Sequence, residues 1–345
     1  MTGIDVTIRG AGIFGLSCAW ACVQRGAKVQ IIDPGGVAAG ASGGVVGALA
    51  PHVPENWNEK KAFQLDSLLM AADWWQEIET KSRLSTGYAR TGRLQPLADH
   101  HACDLARARE ITARALWGEA ATWWVTEAPG AFAPISPTGL FIHDTLSARV
   151  HPRKASFALA EALRLCGCDV ITDGSEQGLV IHATGVSGLE EMGRNAGRMI
   201  GTGVKGQAAL LQFSATEAPQ VFASGIHVVP HGDGTVAIGS TSERDYMRGD
   251  TTDEALTGVI SQARDAVPAL RGAEVVATWA GVRPRARSRA PMLGAWPGRA
   301  GHYIANGGFK IGFGVAPKVG QVMADLVLEG RDSIPPDFRA EKLWP

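Results

Sequence analysis

The chain has 345 residues, enough for about two domains at ~150 residues each. Apolar residues make up 45% and charged residues 19%, which supplies a sizeable core and excludes wholesale disorder. The 33 basic and 34 acidic side chains nearly cancel, which argues against a broad electrostatic grip on nucleic acid or on an acidic membrane.

In chain order, residues 4–9 read as a strand, 13–25 as a helix and 28–32 as a second strand, a βαβ opening. Residues 34–51 are too glycine-rich for one regular element and read as a loop with a short helix. Residues 59–82 form a long amphipathic helix by pattern, with Leu65, Leu68, Leu69, Ala72, Trp75 and Ile78 on one face. A strand at 91–97, a helix at 103–117 and a strand at 139–142 follow. His151-Pro152 opens a helix that Gly167 stops. CDVI and GLVIHATG are then two strands only a few residues apart. Antiparallel strands are expected at 207–213, 226–230 and 235–239, the last two joined by the hairpin signal His231-Gly232-Asp233-Gly234. A helix at 253–266, strands at 274–282 and 302–305, and a helix at 316–329 complete the chain.

Glycine is the compositional outlier: 43 residues, about 12% against a usual ~7%. The five cysteines are too scattered for a disulfide framework or a zinc site. Cys18 and Cys22 share a helix face, Cys166 and Cys168 miss the CxxC spacing, and Cys103 stands alone. They read as buried thiols in a reducing compartment, so a cytoplasmic protein is expected. No basic leader precedes the first apolar stretch and no run of ~18 apolar residues occurs, so neither a signal peptide nor a membrane span is expected. A homo-oligomer is compatible with the sequence and not specified by it.

The strongest local signal is Gly10-Ala11-Gly12-Ile13-Phe14-Gly15, set between the first strand and the first helix. Gly10 permits a tight turn, Gly12 lets backbone approach a pyrophosphate, and Gly15 lets helix and strand pack closely. The helix N-terminus adds free N–H groups and a positive dipole end. Asp33, followed by Pro34, ends the second strand, where a carboxylate accepts bonds from ribose hydroxyls and repels a 2′-phosphate. These residues predict dinucleotide binding. Arg9 stands in the first strand at a position that is usually apolar.

Further segments decide which dinucleotide. Gly40-Ala41-Ser42-Gly43-Gly44, Gly47-Ala48-Leu49-Ala50-Pro51, Val180–Gly185 (VIHATG), 227–243, 279–294 and 306–330 occur in an order that resembles the D-amino-acid-oxidase-like family of FAD oxidoreductases, which includes glycine and sarcosine oxidases. The resemblance spans nearly the whole chain. It implies an α/β fold: a Rossmann-like FAD-binding domain of the glutathione-reductase type with a second, mostly antiparallel-sheet substrate domain. The implied division is 1–85, 150–205 and 295–345 for FAD, and 86–149 and 206–294 for substrate.

The same resemblance implies FAD with its pyrophosphate on Gly10–Gly15, including Ile13 and Phe14, and its ribose on Asp33. Ala41, Ser42 and Gly43 would cradle the diphosphate and ribityl chain, and Gly47 and Ala48 would pass beside the flavin. Ala183, Thr184 and Gly185 would close the other side. Backbone N–H groups of Gly308, Phe309, Lys310 and Ile311 would meet the flavin C2 carbonyl. Arg283 would pair with a substrate carboxylate and His227 would lie above the substrate. A guanidinium can hold a carboxylate through two parallel bonds and so aim a Cα–H bond at the flavin. Arg283, Arg285, Arg287 and Arg289 alternate, so they also fit a solvated basic strand edge; the ligand reading is preferred for Arg283 and the surface reading for the rest. His52, after the flavin loop, is a weaker candidate.

Three departures from the family pattern matter. Only about ten residues separate Val170 from Val180, so the family's antiparallel β-meander is expected to be missing. Ser288 and Arg289 stand where the family has an acid after the Arg-Pro pair. No cysteine lies near the C-terminal flavin segments, so FAD is expected to be noncovalent, and no metal is expected. The function implied is oxidation of the C–N bond of a small amino or imino acid by hydride transfer to flavin, with O2 as acceptor. A quinone- or carrier-linked dehydrogenase and a 2-hydroxy-acid oxidase are the alternatives within the architecture, and a non-catalytic nucleotide- or nucleic-acid-associated module is the alternative outside it.

Overall fold

A computed structural model of the chain describes residues 3–127 and 130–344. The outer limits 1 and 345 of the expected domains lie outside the described residues. The chain opens β1 (Val6–Arg9), α1 (Ile13–Gln24), β2 (Val29–Ile32), β3 (Ala48–Leu49), α2 (Glu59–Ser82), β4 (Arg93–Pro96), α3 (His100–Trp117), β5 (Trp123–Thr126), β6 (Phe141–Asp144) and β7 (Ala148–Arg149). It continues α4 (Pro152–Arg164), β8 (Val170–Ile171), β9 (Leu179–His182), α5 (Gly185–Asn195), β10 (Gly201–Gln212), β11 (Gln220–Ala223), β12 (Ile226–Pro230) and β13 (Thr235–Gly239). It ends with α6 (Glu254–Ala266), β14 (Glu274–Ala286), β15 (Met292–Ala295), β16 (His302–Asn306) and α7 (Gly312–Glu329).

Two large sheets result. The first has the order β15-β16-β9-β1-β2-β8, parallel except at β15. The chain leaves β1 for β2 on one side and returns later to β9 on the other. That reversal opens a crevice beyond the C-terminal end of β1, the usual ligand position in open α/β sheets. Val6 and Ile8 face the helices with no exposed surface, and α1 is buried over its first ten positions, Ile13–Cys22, because α7, α4 and the sheet enclose it. The second sheet has the order β14-β10-β13-β12-β11-β4-β6-β5 and is antiparallel except between β11 and β4. α6 packs on it through Leu256, Val259 and Ala263. The second sheet takes the chain from Gly201 to Ala286 apart from α6 and its flanks, so β10 enters before residue 206 and β15 rejoins the first sheet before residue 295.

The other face of the first sheet accounts for Arg9. Alternation along β1 puts Thr7 and Arg9 opposite Val6 and Ile8. Residues 172–178 carry no strand, as the short Val170–Val180 spacing predicts. A polar loop covers the face instead: Thr7 Oγ1 donates to the Gln177 carbonyl at 2.7 Å and accepts the Gln177 N–H at 2.9 Å. Gln30 Nε2 donates to the Ser175 carbonyl at 2.8 Å, and Arg9 meets Glu176 at 3.7 Å. A strand face covered by a polar loop has use for Thr and Arg.

Several elements differ from the sequence expectation. β5, β11 and β15 are strands where only connections were read, each of four residues, too short for an alternation pattern to register. α5 follows β9 directly although it begins at a glycine. α3 starts at His100 rather than 103 because the Asp99 side chain caps it, accepting the Ala102 N–H at 2.8 Å. α7 starts at Gly312 rather than 316; its glycines and Pro317 are poor helix formers, and burial against α1 and α2 outweighs them.

Candidate functional site

The two sheets enclose a cavity of about 920 Å³. Of the expected cofactor set, Gly10, Gly12, Ile13, Phe14, Asp33, Pro34, Ala41, Ser42, Gly47, Ala48, Ala183, Thr184, Gly185, Gly308, Phe309 and Lys310 line it, as do Arg283 and His227. Gly15, Gly43 and Ile311 do not line it and have packing roles in the structure. A Cβ on Gly15 would sit 1.9 Å from the Gly10 carbonyl oxygen and one on Gly43 2.5 Å from that of Ala38, while Ile311 caps α7 and packs on the apolar core. His52 also lies off the cavity, held by Gln64.

At the first end, Gly10 turns with φ +108°, and a side chain there would collide with the Ala183 carbonyl. Asp33 closes the turn by accepting the Ala11 N–H at 2.7 Å and the Gly35 N–H at 2.9 Å. Ser42 Oγ accepts the Ile13 N–H at 2.9 Å, which leaves the hydroxyl proton available. Among the described residues the N–H groups of Phe14 and Gly15 have no acceptor, so the α1 terminus keeps free donors. At the opposite end, the α7 terminus repeats the arrangement: the N–H groups of Gly312 and Phe313 have no acceptor among the described residues. Within 308–311 the expectation is corrected in part, because Phe309 N–H is spent on the Pro284 carbonyl and Ile311 N–H on that of Gly308. The Lys310 N–H has no acceptor among the described residues. Phe309 adopts φ +43°, which bulky residues rarely visit. Asn306 ties this turn to the other side of the cavity, donating to the Gly185 carbonyl at 2.9 Å and accepting the Gly307 N–H at 2.7 Å.

Arg283 enters from β14 opposite Val204 of β10. Its Nη2 donates to Ser240 Oγ at 2.5 Å and its Nη1 to the Thr241 carbonyl at 3.4 Å. It makes no ion pair among the described residues. Burial pushes its pKa down from 12.5 to about 10, and the nearby Glu243 offsets this only in part. Glu243 is already engaged: it meets Lys205 at 3.4 Å, accepts from Gln207 Nε2 at 3.0 Å and bonds the Thr241 hydroxyl. Lys205 and Gln207 also bond Asp253, the α6 cap, each at 2.7 Å. This network fixes the 240–243 segment that supplies the acceptors for Arg283.

Several of these residues were not found from sequence. Gly206 is required because a Cβ there would lie 1.9 Å from Arg283 Nη1. Ser240, Thr241 and Trp279 line the site or hold the guanidinium, which stands 6.0 Å from the Trp279 ring centre. A glycine followed by glutamine inside an apolar strand, Gly206-Gln207, was the available signal for a close approach.

His227 lies with its ring 4.8 Å from that of Phe222, and its Nδ1 is buried without a partner among the described residues. Burial, then the charges of Arg93 and Lys310, lowers its pKa to about 4, so it is neutral at pH 7. The four arginines do not share one edge. β14 ends at Ala286, so the alternation covers only Arg283 and Arg285. Arg285 is half-buried and stacks 5.4 Å from the Phe309 ring centre, against the surface expectation, while Arg287 and Arg289 are exposed in the following turn. Among the described residues no metal-ligand cluster occurs, and no helix is long and apolar enough to cross a membrane.

Comparison with known proteins agrees with this geometry. The family model for FAD dependent oxidoreductases matches residues 5–326. A glycine oxidase of Pseudomonas aeruginosa is 36% identical over 132 residues, which is 38% of this chain and 36% of that protein. A glycine oxidase of Pseudomonas putida is 26% identical with 96% of each chain covered. The crystal structure of iminodiacetate oxidase from Chelativorans superposes with a TM-score of 0.86 at 22% identity, covering 99% of both chains.

Proposed function

The chain belongs to the FAD-dependent oxidoreductase family, and we propose that it oxidises the C–N bond of a small amino or imino acid, with noncovalent FAD and with O2 as electron acceptor. The observation that carries this reading is Arg283: a half-buried guanidinium, facing the cavity, that meets only neutral acceptors. A buried cation without a counter-ion is costly, and a carboxylate arriving there recovers that cost with two parallel bonds. The two glycine oxidases and the iminodiacetate oxidase support a small amino or imino acid as the substrate class.

The residues present fit FAD. Two helix termini with free N–H donors face one cavity, which suits a pyrophosphate at α1 and a developing negative charge at α7. The Asp33 carboxylate suits a ribose hydroxyl, and the Ser42 hydroxyl can donate a hydrogen bond to an anion beside α1. No cysteine lines the cavity, in keeping with a noncovalent cofactor. Bound flavin supplies a two-electron acceptor for a substrate C–H bond. The chain's own contribution is orientation: Arg283 would hold the carboxylate, Ser240 holds Arg283, Gly206 leaves room for it, and Trp279 and Phe222 line the site. His227 is neutral at pH 7 and adds no charge that would compete with an amine. Hydride removal from a neutral amine needs no strong base, which accords with the engagement of Glu243, the acid near Arg283, by Lys205 and Gln207.

The test is the visible spectrum of the purified protein. A flavin spectrum, bleached anaerobically by small amino or imino acids and restored by air with formation of peroxide, is the expected outcome. Flavin should appear in the supernatant after acid precipitation. Bleaching by 2-hydroxy acids alone would move the reading to C–O oxidation, because Arg283 would hold that carboxylate equally well. A colourless protein that ignores added FAD would reject it.

A further inference from the structure

Building on the flavin reading, we propose that His231 is a positioning residue for the cofactor. With His151 beside it, its neutral imidazole locks residues 44–48, the stretch expected beside the flavin, and protonation of the pair unlocks them. Gly44, Val46, Gly47 and Ala48 line the cavity. The segment is stitched from behind by the chain around His151: the Val150 N–H donates to the Gly47 carbonyl at 2.9 Å, and a Cβ on Gly47 would lie 2.0 Å from the Val150 carbonyl oxygen. From the β12–β13 hairpin, His231 Nε2 donates to the Val45 carbonyl at 2.9 Å. A neutral ring that donates through Nε2 leaves Nδ1 bare. That Nδ1 is buried and has no partner among the described residues. The His151 ring centre lies 4.7 Å from that of His231, and both side chains are buried.

The charges around the pair oppose a proton on it. Arg149 of β7 donates to the Thr216 and Pro230 carbonyls at 2.6 and 2.7 Å, which holds the hairpin at the residue before His231. Lys154 of α4 pairs with Asp233 of the hairpin at 2.7 Å, and Asp233 is further spent on the Thr235 N–H and hydroxyl. Glu217 acts on Arg149, and residues 44–48 carry no titratable group. His151 also caps α4, its Nδ1 accepting the Lys154 N–H at 3.5 Å, so a proton there would remove the cap. Burial is the main cause that lowers both imidazole pKa values, that of His151 to about 4. The neighbouring cations act in the same direction, and Asp233 opposes them. A free imidazole titrates near 6.5, so the neutral pair contributes its full stability above that pH and loses it as pH falls toward about 4. A proton on His231 Nδ1 would find no acceptor and two cations, so hairpin and segment must part.

The experiment titrates FAD affinity between pH 7.5 and pH 5.5 for the wild-type chain and for the double variant His151→Asn, His231→Gln. The two amides keep the α4 cap and a donor for the Val45 carbonyl without titrating. The wild type should lose affinity ~10- to 100-fold over that range, up to tenfold per pH unit for each linked proton, and the double variant about threefold at most. His231→Ala tests the bond itself: FAD should bind ~5- to 10-fold more weakly at pH 7.5, and His231→Gln should recover most of that loss. Hydrogen exchange of the 44–48 amides in the cofactor-free chain, corrected for the intrinsic effect of pH, reads the lock without flavin. Protection should fall at pH 5.5 in the wild type and hold in the double variant. The same pH slope in both proteins would overturn the proposal, as would wild-type affinity in His231→Ala. A far-ultraviolet signal that collapses together with the affinity would assign the slope to global acid unfolding and overturn it as well. If protection of 44–48 depends on the pair but no FAD binds at any pH, the proton lock stands and the flavin reading alone is rejected.

Discussion

The two ends of the cavity carry opposite charges, and they are satisfied in opposite ways. Asp33 is complete without a ligand: two backbone N–H groups converge on its carboxylate and it braces the glycine turn. Arg283 is incomplete: it lies half-buried against a hydroxyl and a carbonyl, with no anion bonded to it among the described residues. The first arrangement preorganises a binding surface and stabilises the fold at the same time. The second stores a demand for charge that only a ligand meets, at some cost to the empty protein. A single property, the stability of the cofactor-free chain, should therefore separate the two ends.

The largest effect is expected at Arg283. Arg283→Ala should keep the flavin spectrum and lose ~30- to several-thousand-fold in kcat/KM on amino acids, because truncating one partner of a desolvated charge pair costs ~2–5 kcal/mol. Arg283→Lys should recover part of this, since an ammonium lacks the two-pronged geometry. Thermal unfolding of the cofactor-free Arg283→Ala protein should show an unchanged or raised Tm. A marked fall would mean that the guanidinium is structural, and the contrast with Asp33 would collapse. Gly206→Ala sharpens the same point without touching the arginine. Its Cβ would meet the guanidinium at 1.9–2.3 Å, so Arg283 must move. A displacement of ~1 Å is worth ~10²-fold in turnover, and steady-state kinetics with intact FAD binding would show it.

At Asp33 the effect should be smaller and of the other kind. Asp33→Ala removes the ribose contact proposed for it, worth ~1.5–3 kcal/mol, so FAD affinity measured by titration should fall by about one to two orders. It also leaves the Ala11 and Gly35 N–H groups without their acceptor, so the Tm of the cofactor-free chain should fall as well. Asp33→Asn keeps an acceptor for the turn and should restore most of the stability but less of the affinity. Equal recovery of both would mean that the charge itself contributes nothing at the ribose.

What could be read in advance follows from range. The Gly10–Gly15 turn and Asp33 form a local unit: strand, turn, helix and strand lie within thirty or so residues, and their period and spacing are visible in the chain. The Arg283 environment is assembled from β10, the end of β13 and β14, strands that meet only after folding. Nothing local marks Gly206 as the space for a guanidinium, or Ser240 as its acceptor. The arginine row failed for a related reason. Alternation predicts one edge only while the strand lasts, and β14 stops at Ala286, so a turn carries Arg287 and Arg289 away while Arg285 stays folded against Phe309. The short spacing before Val180 was legible as a missing meander, but not the polar loop that explains Arg9, because its bonds run from 175–177 back to Thr7 and Gln30.

The smallest effects should lie just beyond that strand end, where the distinction between a single ligand and a general basic strip is decided. The Arg287 and Arg289 side chains are exposed and make no bond among the described residues; only their backbones are used, Arg287 N–H toward the Ile200 carbonyl at 2.8 Å, Arg289 N–H toward the Ala286 carbonyl at 2.9 Å and the Arg289 carbonyl toward Lys60 at 2.9 Å. Alanine preserves all three backbone contacts, so Arg287→Ala and Arg289→Ala should each change stability by under ~0.5 kcal/mol and kcat/KM by about twofold at most. Salt separates the cases further. Exposed charges are screened over ~8 Å at physiological ionic strength, so any residual steering by these two arginines should vanish as salt rises. The Arg283 contribution should persist better, because partly buried pairs are screened less than exposed ones. Arg285, half-buried over Phe309, should fall between the two. If alanine at all four positions instead gave equal, modest losses that faded together with salt, the row would act as a strip and Arg283 would lose its place as the carboxylate ligand.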